Sequence, residues 1–129
     1  MDRAVSPTVV IADDDSDIRT LVRISATKAG LDVVAETDDG TEALAAIRRL
    51  VPDFAILDVA MPGLSGLDVC RQVRAESALD GVHILLLSAS VDEPTIAAGM
   101  SAGAASYLSK PFSPRELAAR LSAYTEETR

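Results

Sequence analysis

The sequence predicts an α/β domain: a doubly wound, five-stranded parallel sheet with helices on both faces. Three observations predict it. Five short apolar runs alternate with five stretches of helical periodicity. The runs are apolar almost throughout, as strands buried on both faces must be. Most of them end in a polar residue, and the carboxyl ends of such strands form the crevice where open α/β sheets bind ligands.

The elements follow in order. Thr8 to Asp13 reads as a short buried strand. Ser16 to Ala29 reads as a helix with Ile18, Leu21, Val22 and Ser25 on one face; Ser16 or Asp15 can cap its start, and Gly30 suits the turn after it. Leu31 to Glu36 is the second strand, and Gly40 to Leu50 a helix facing inward with Ala43, Leu44 and Ile47 and stopped by Pro52. Phe54 to Asp58 is the third strand, followed by a turn at Met61-Pro62-Gly63. Ser65 can cap a helix reaching about Glu76, and Val82 to Ser88 is the fourth strand. Pro94 to about Ala102 is a weaker helix, interrupted by Gly99 and anchored by Ile96 and Met100. Ser106 to Leu108 is the fifth strand. Ser113 caps the last helix, with Pro114 first, Glu116 as a third-position acid, and Leu117 and Leu121 turned inward. Right-handed crossovers between these units leave few topologies.

At 129 residues the chain suits one domain, spanning 1–129, with no output domain expected beyond the last helix. A net charge of −8 opposes direct binding to nucleic acid or anionic lipid, and 3% aromatics is too few for a base-stacking surface. Cys70 is the only cysteine and falls in a helical pattern with Leu67 and Val73, which reads as a buried structural thiol and fits a reducing compartment. His83 is the only histidine, so a Cys–His catalytic pair or metal cluster is poorly supported. No apolar run approaches a membrane span, and Met1-Asp2-Arg3 lacks the apolar region of a signal peptide, so a cytoplasmic location is expected.

The strand ends carry the chemistry. Asp13-Asp14 follows the first strand, Asp58 ends the third, Ser88 ends the fourth, and Lys110 follows the fifth. Neighbouring carboxylates resist ionisation together unless a cation joins them. All-oxygen ligands favour Mg²⁺, with Mn²⁺ as the alternative, over Zn²⁺. Asp13, Asp15 and Asp17 match the opening spacing of a calcium EF-hand loop, but Ile18 and Ile24 stand where that loop needs Gly and Glu. Asp58, on a rigid strand, can be a metal ligand, a nucleophile that forms an aspartyl-phosphate, or both. Ser88 can donate to a phosphoryl oxygen, and Lys110 offers a compact positive charge.

Val10-Ile11-Ala12-Asp13-Asp14-Asp15, Leu57-Asp58-Val59-Ala60-Met61-Pro62-Gly63-Leu64-Ser65-Gly66, Leu87-Ser88-Ala89 and Tyr107-Leu108-Ser109-Lys110-Pro111-Phe112 together resemble the receiver domain of bacterial two-component response regulators. The resemblance covers essentially the whole chain and extends to chemotaxis-regulator-like receivers. It implies a flavodoxin-like sheet in the order 2-1-3-4-5. It implies that Asp58 accepts a phosphoryl group from a phosphohistidine of a sensor histidine kinase or a phosphotransfer protein. Asp14 would bind Mg²⁺ directly, Asp13 through water, and Asp58 and the Ala60 carbonyl would complete the protein ligands. Lys110 would pair with Asp58 and then with the phosphoryl group. Ser88 and Tyr107 would form the switch, and Ala60 and Ser90 would tune phosphoryl lifetime. Pro111 would follow a cis peptide bond. The signal would leave through the face of the fourth helix, fifth strand and fifth helix toward an output domain or target protein, with room for a phosphorylation-dependent homodimer. The chain would catalyse only its own phosphorylation and dephosphorylation.

Three competing readings are weaker. A haloacid-dehalogenase-like phosphatase also forms an aspartyl-phosphate, but it places the nucleophile after the first strand and the acidic pair late. A flavin-binding domain needs a Ser/Thr/Gly phosphate loop after the first strand, and none is there. A degenerate receiver, serving only as a protein-interaction module, would not need the full set of site residues.

Overall fold

The computed structural model describes residues 6–89 and 92–127. Strands and helices alternate: β1 (Thr8–Ala12), α1 (Ser16–Lys28), β2 (Asp32–Thr37), α2 (Gly40–Leu50), β3 (Phe54–Asp58), α3 (Gly66–Arg74), β4 (His83–Ser88), α4 (Glu93–Ser101), β5 (Ser106–Ser109) and α5 (Pro114–Glu127). The five strands form one parallel sheet in the order β2-β1-β3-β4-β5. A short 3-10 helix, Ser77–Leu79, between α3 and β4 is an addition to the sequence reading; it buries Leu79.

The period of two along each strand divides the core. Val10, Ala12, Ala55, Leu57, Ile84 and Leu86 face the layer that includes α2 and α3. Val9, Ile11, Phe54, Ile56, Leu85 and Leu87 face the opposite layer, with Val22 and Ala26 from α1 and Leu117 and Leu121 from α5. β3 is buried along its whole length, as a central strand must be.

Helix starts follow local chemistry. The Asp15 carboxylate caps α1, accepting from the N–H groups of Asp17 and Ile18. Ser65 and Asp68 cap α3 reciprocally. Ser113 Oγ accepts from Glu116 N–H at 3.0 Å, while Glu116 accepts from Ser113 N–H at 2.9 Å. α2 ends at Val51, whose φ of 43° is left-handed, one residue before the Pro52 expected to stop it. Ile18 and Leu21 are partly buried and pack against the core cluster that holds Val22 and Ala26, and Ser25 is buried beside them, so the expected inward face of α1 is kept. Met100 is 46% exposed and does not anchor α4; the buried residue there is Gly99.

Candidate functional site

Strand register brings the polar residues to one level. Ala12 pairs with Leu57, so the next residues, Asp13 and Asp58, leave adjacent strands side by side. Asp58 pairs with Leu87, and Ser88 with Ser109, so Ser88 and Lys110 leave the sheet just beyond. Asp13, Asp58 and Ser88 are buried, and Asp14 is exposed. Carboxylate oxygens of Asp13, Asp14 and Asp58 all lie within 4.8 Å of one another.

The loops that follow are fixed by the main chain. Val59 N–H donates to Leu87 O at 2.8 Å, and Gly66 N–H donates to Val59 O at 2.9 Å. The start of α3 therefore folds back onto the end of β3. A Cβ on Gly66 would lie 2.4 Å from the carbonyl oxygen of Asp58, so only glycine allows that approach. Lys110 N–H donates to Ser88 O at 2.7 Å, which ties the lysine's backbone to the end of β4. The Lys110–Pro111 peptide bond is cis.

Lys110 bridges the two buried acids. Its Nζ lies 3.0 Å from Asp13 Oδ2 and 3.3 Å from Asp58 Oδ2. Burial alone would lower the ammonium's pKa, but its contacts with Asp13 and Asp58 outweigh that and hold it above the ordinary lysine value. Burial, and then the neighbouring Asp13 carboxylate, push Asp58 above the ordinary carboxyl value; Lys110 and the Ala60 N–H, 3.3 Å from Asp58 Oδ1, only partly offset them. Asp13 Oδ1 accepts from Asp15 N–H at 2.9 Å. Asp13 Oδ2 meets Lys110 as an ion pair off the hydrogen-bonding direction, and this buried oxygen keeps an unfilled acceptor site.

That unfilled oxygen, the exposed carboxylate of Asp14 beside it and the raised pKa of Asp58 fit a divalent cation held by oxygen ligands. Ala60 lies at the exposed rim of the crevice. Tyr107 on β5 is half-buried and packs against α4 at Gly99. Ser90 lies outside the described residues.

Arg19 is a residue whose contact with the site is not legible in the sequence. Its Nη1 donates to the main-chain carbonyl of Asp13 at 2.8 Å. The available signal was its place on α1, one turn beyond the acidic loop, but a helical arginine in an amphipathic pattern ordinarily reads as solvent-facing.

Cys70 is buried, its Sγ–H directed at Ala102 O at 3.3 Å, and burial raises its pKa; it serves packing, away from the crevice. Among the described residues no helix is long and apolar enough to cross a membrane.

The family model for the response regulator receiver domain matches residues 9–122. The chain is 42% identical over 115 residues to the DNA-binding response regulator MtrA of Mycolicibacterium paratuberculosis, covering 89% of this chain and 49% of that protein. It is 35% identical over 124 residues to the phosphate regulon transcriptional regulatory protein PhoB of Pseudomonas aeruginosa, covering 96% of this chain and 54% of that one. The chain thus spans about half the length of these curated relatives. Among solved structures it is similar to the chemotaxis response regulator CheY4 of Vibrio cholerae, with a TM-score of 0.85, 32% identity, and coverage of 92% of this chain and 98% of that one.

Proposed function

This chain belongs to the response regulator receiver domain family and so to two-component phosphorelay signalling, and from that premise we propose that Asp58 is its phospho-acceptor. The observation that carries the proposal is Asp58 itself. It is buried at a strand end, with two further carboxylates within ligand distance and a lysine 3.3 Å from its own oxygen.

In this reading Asp58 Oδ attacks the phosphorus of a phosphohistidine on a sensor kinase or phosphotransfer protein. The new O–P bond forms as the P–N bond breaks, and the electron pair returns to the imidazole nitrogen. Asp13, Asp14, Asp58 and the Ala60 carbonyl would hold Mg²⁺, or Mn²⁺, which supplies neutralisation of charge on the transferring oxygens. Lys110, whose Nζ lies 3.3 Å from Asp58 Oδ2, would pair with a phosphoryl oxygen on Asp58. Ser88, buried one residue past the end of the paired β3–β4 register, would donate its hydroxyl to another oxygen. Water attack on the aspartyl-phosphate reverses the modification. Ala60, with its methyl group, brings no amide or acid to orient that water, and Ser90 would stand at the second tuning position. The chain's chemistry would be confined to its own phosphorylation and dephosphorylation, in the cytoplasm.

Movement of Ser88 toward the phosphoryl group would let Tyr107 turn inward. That change would alter the face of α4, β5 and α5, read by an output domain, a target protein or a second copy of the chain. Net charge opposes direct contact of this domain with nucleic acid.

Incubation with a small acyl-phosphate donor and Mg²⁺ should add one phosphoryl group by intact mass. Chelating the metal or making Asp58→Asn should prevent it, and full labelling of Asp58→Asn would refute the assignment. For the output face, hydrogen exchange with a phosphoryl mimic and Mg²⁺ should change between Ser88 and Leu117. Changes confined to Leu44 and Ile47 would place the output elsewhere.

A further inference from the structure

The loop that carries Asp13 and Asp14 connects β1 to α1, a kind of segment usually less ordered than the elements it joins. It also carries carboxylates that repel one another. Yet the main chain of Asp13 is tied down on both sides. Its N–H donates to Thr37 O of β2 at 3.2 Å, and its carbonyl accepts from Arg19 Nη1 at 2.8 Å. Arg19 is braced in turn. Its Nε lies 3.9 Å from Glu36 Oε1, and Glu36 is fixed by Arg23, whose Nε lies 3.0 Å from Oε2. The arginine side chain is only 24% exposed, so this grip is partly shielded from water. A guanidinium can reach a carbonyl with one nitrogen while another faces a carboxylate, which a lysine ammonium on a shorter reach does less well.

We propose that Arg19 is a positioning residue of the divalent-cation site. By gripping the Asp13 carbonyl it holds the β1–α1 loop so that Asp13 and Asp14 face Asp58 before an ion arrives. The ordering cost of binding is thereby met in the folded chain. Arg19 touches neither the ion nor the phosphoryl group; it acts through the backbone of Asp13. The inference rests on the metal-site reading above.

The test is the Mg²⁺ dissociation constant of the full chain by calorimetry, with no phosphodonor present. Arg19→Gln should weaken Mg²⁺ roughly tenfold, the scale typical of residues that orient metal ligands. Arg19→Lys should recover part of that loss. Arg23→Gln loosens only the exposed Glu36 brace and leaves the Arg19 bond to the Asp13 carbonyl, so its constant should stay within roughly twofold of the unaltered chain. A lower thermal midpoint for Arg19→Gln with an unchanged Mg²⁺ constant would make the residue merely structural and overturn the inference. Equal losses in the Arg19 and Arg23 variants would overturn it too. Absence of Mg²⁺ binding by the unaltered chain would overturn the metal-site reading itself and this inference with it.

Discussion

At the amino ends of β1 and β3, polar groups satisfy one another. Thr8 N–H donates to Asp53 Oδ2 at 2.8 Å, Asp53 N–H donates to Thr8 Oγ1 at 3.1 Å, and both carboxylate and hydroxyl sit at the surface. At the carboxyl ends of the same two strands, Asp13 and Asp58 are buried beside each other. One ammonium serves both, and Asp13 Oδ2 lacks a hydrogen-bond donor. The same two strands thus end in a closed polar pair on one side and an open one on the other. Stability has been given up at the carboxyl ends: buried charge is costly unless fully paired, and a site that must accept a cation and a phosphoryl group cannot be fully paired beforehand.

The largest effect should come from breaking the open end. Lys110→Ala leaves two buried carboxylates without their ammonium, and we expect a loss of about 3 kcal/mol in urea unfolding without metal. Added Mg²⁺ should stabilise this variant more than it stabilises the unaltered chain. A loss below about 0.5 kcal/mol would mean the carboxylates are far better solvated than their burial indicates.

Relieving the same end should do the reverse. Asp58→Asn keeps the shape and removes a buried negative charge, while Lys110 keeps Asp13 as its partner. Metal-free at neutral pH, we expect a gain of about 1 kcal/mol alongside the loss of phosphorylation. The pH dependence fixes the cause. Asp58 has a folded pKa above its ordinary 3.8, so the folded state binds its proton more tightly than the unfolded state. Its favourable contribution is complete below the ordinary value and disappears as pH rises through the folded one. From about the ordinary value upward the unaltered chain should therefore fall relative to Asp58→Asn, and it should run parallel once pH has passed the raised folded value. A constant gap across that range would remove burial of the charge as the explanation.

The closed end offers the smallest effect and the control. Asp53→Ala removes acceptors for Thr8 at an exposed position, so about 0.5 kcal/mol of stability should go. Mg²⁺ affinity and the rate of phosphorylation should not change. A weaker Mg²⁺ constant in Asp53→Ala would show that the two ends of the sheet are coupled through β1 and β3 and do not act independently.

Local pattern determined much of this protein. Apolar runs such as Phe54 to Leu57 are legible as strands because burial on both faces leaves no room for a polar alternate. Asp13, Asp58, Ser88 and Lys110 are legible as strand-end residues because they break those runs, and Ser113 and Glu116 as a cap because the motif spans a single turn. Five similar strands do not, however, specify their neighbours by pattern; the 2-1-3-4-5 order is legible only through the family resemblance and is fixed in the fold by pairing and crossovers. Side-chain reach across elements is equally silent in sequence, as with Arg19 crossing from α1 to the Asp13 carbonyl. Gly99 makes the same point from the other side. By helix propensity it is a weakness of about 1 kcal/mol against Ala. In the fold, a Cβ there would lie 2.9 Å from Leu86 Cδ1 and 3.3 Å from Tyr107 Cδ2, so glycine is what lets α4 settle on β4 and β5. Propensity is a property of a residue and its chain neighbours, whereas close approach depends on residues brought together only when the sheet has formed.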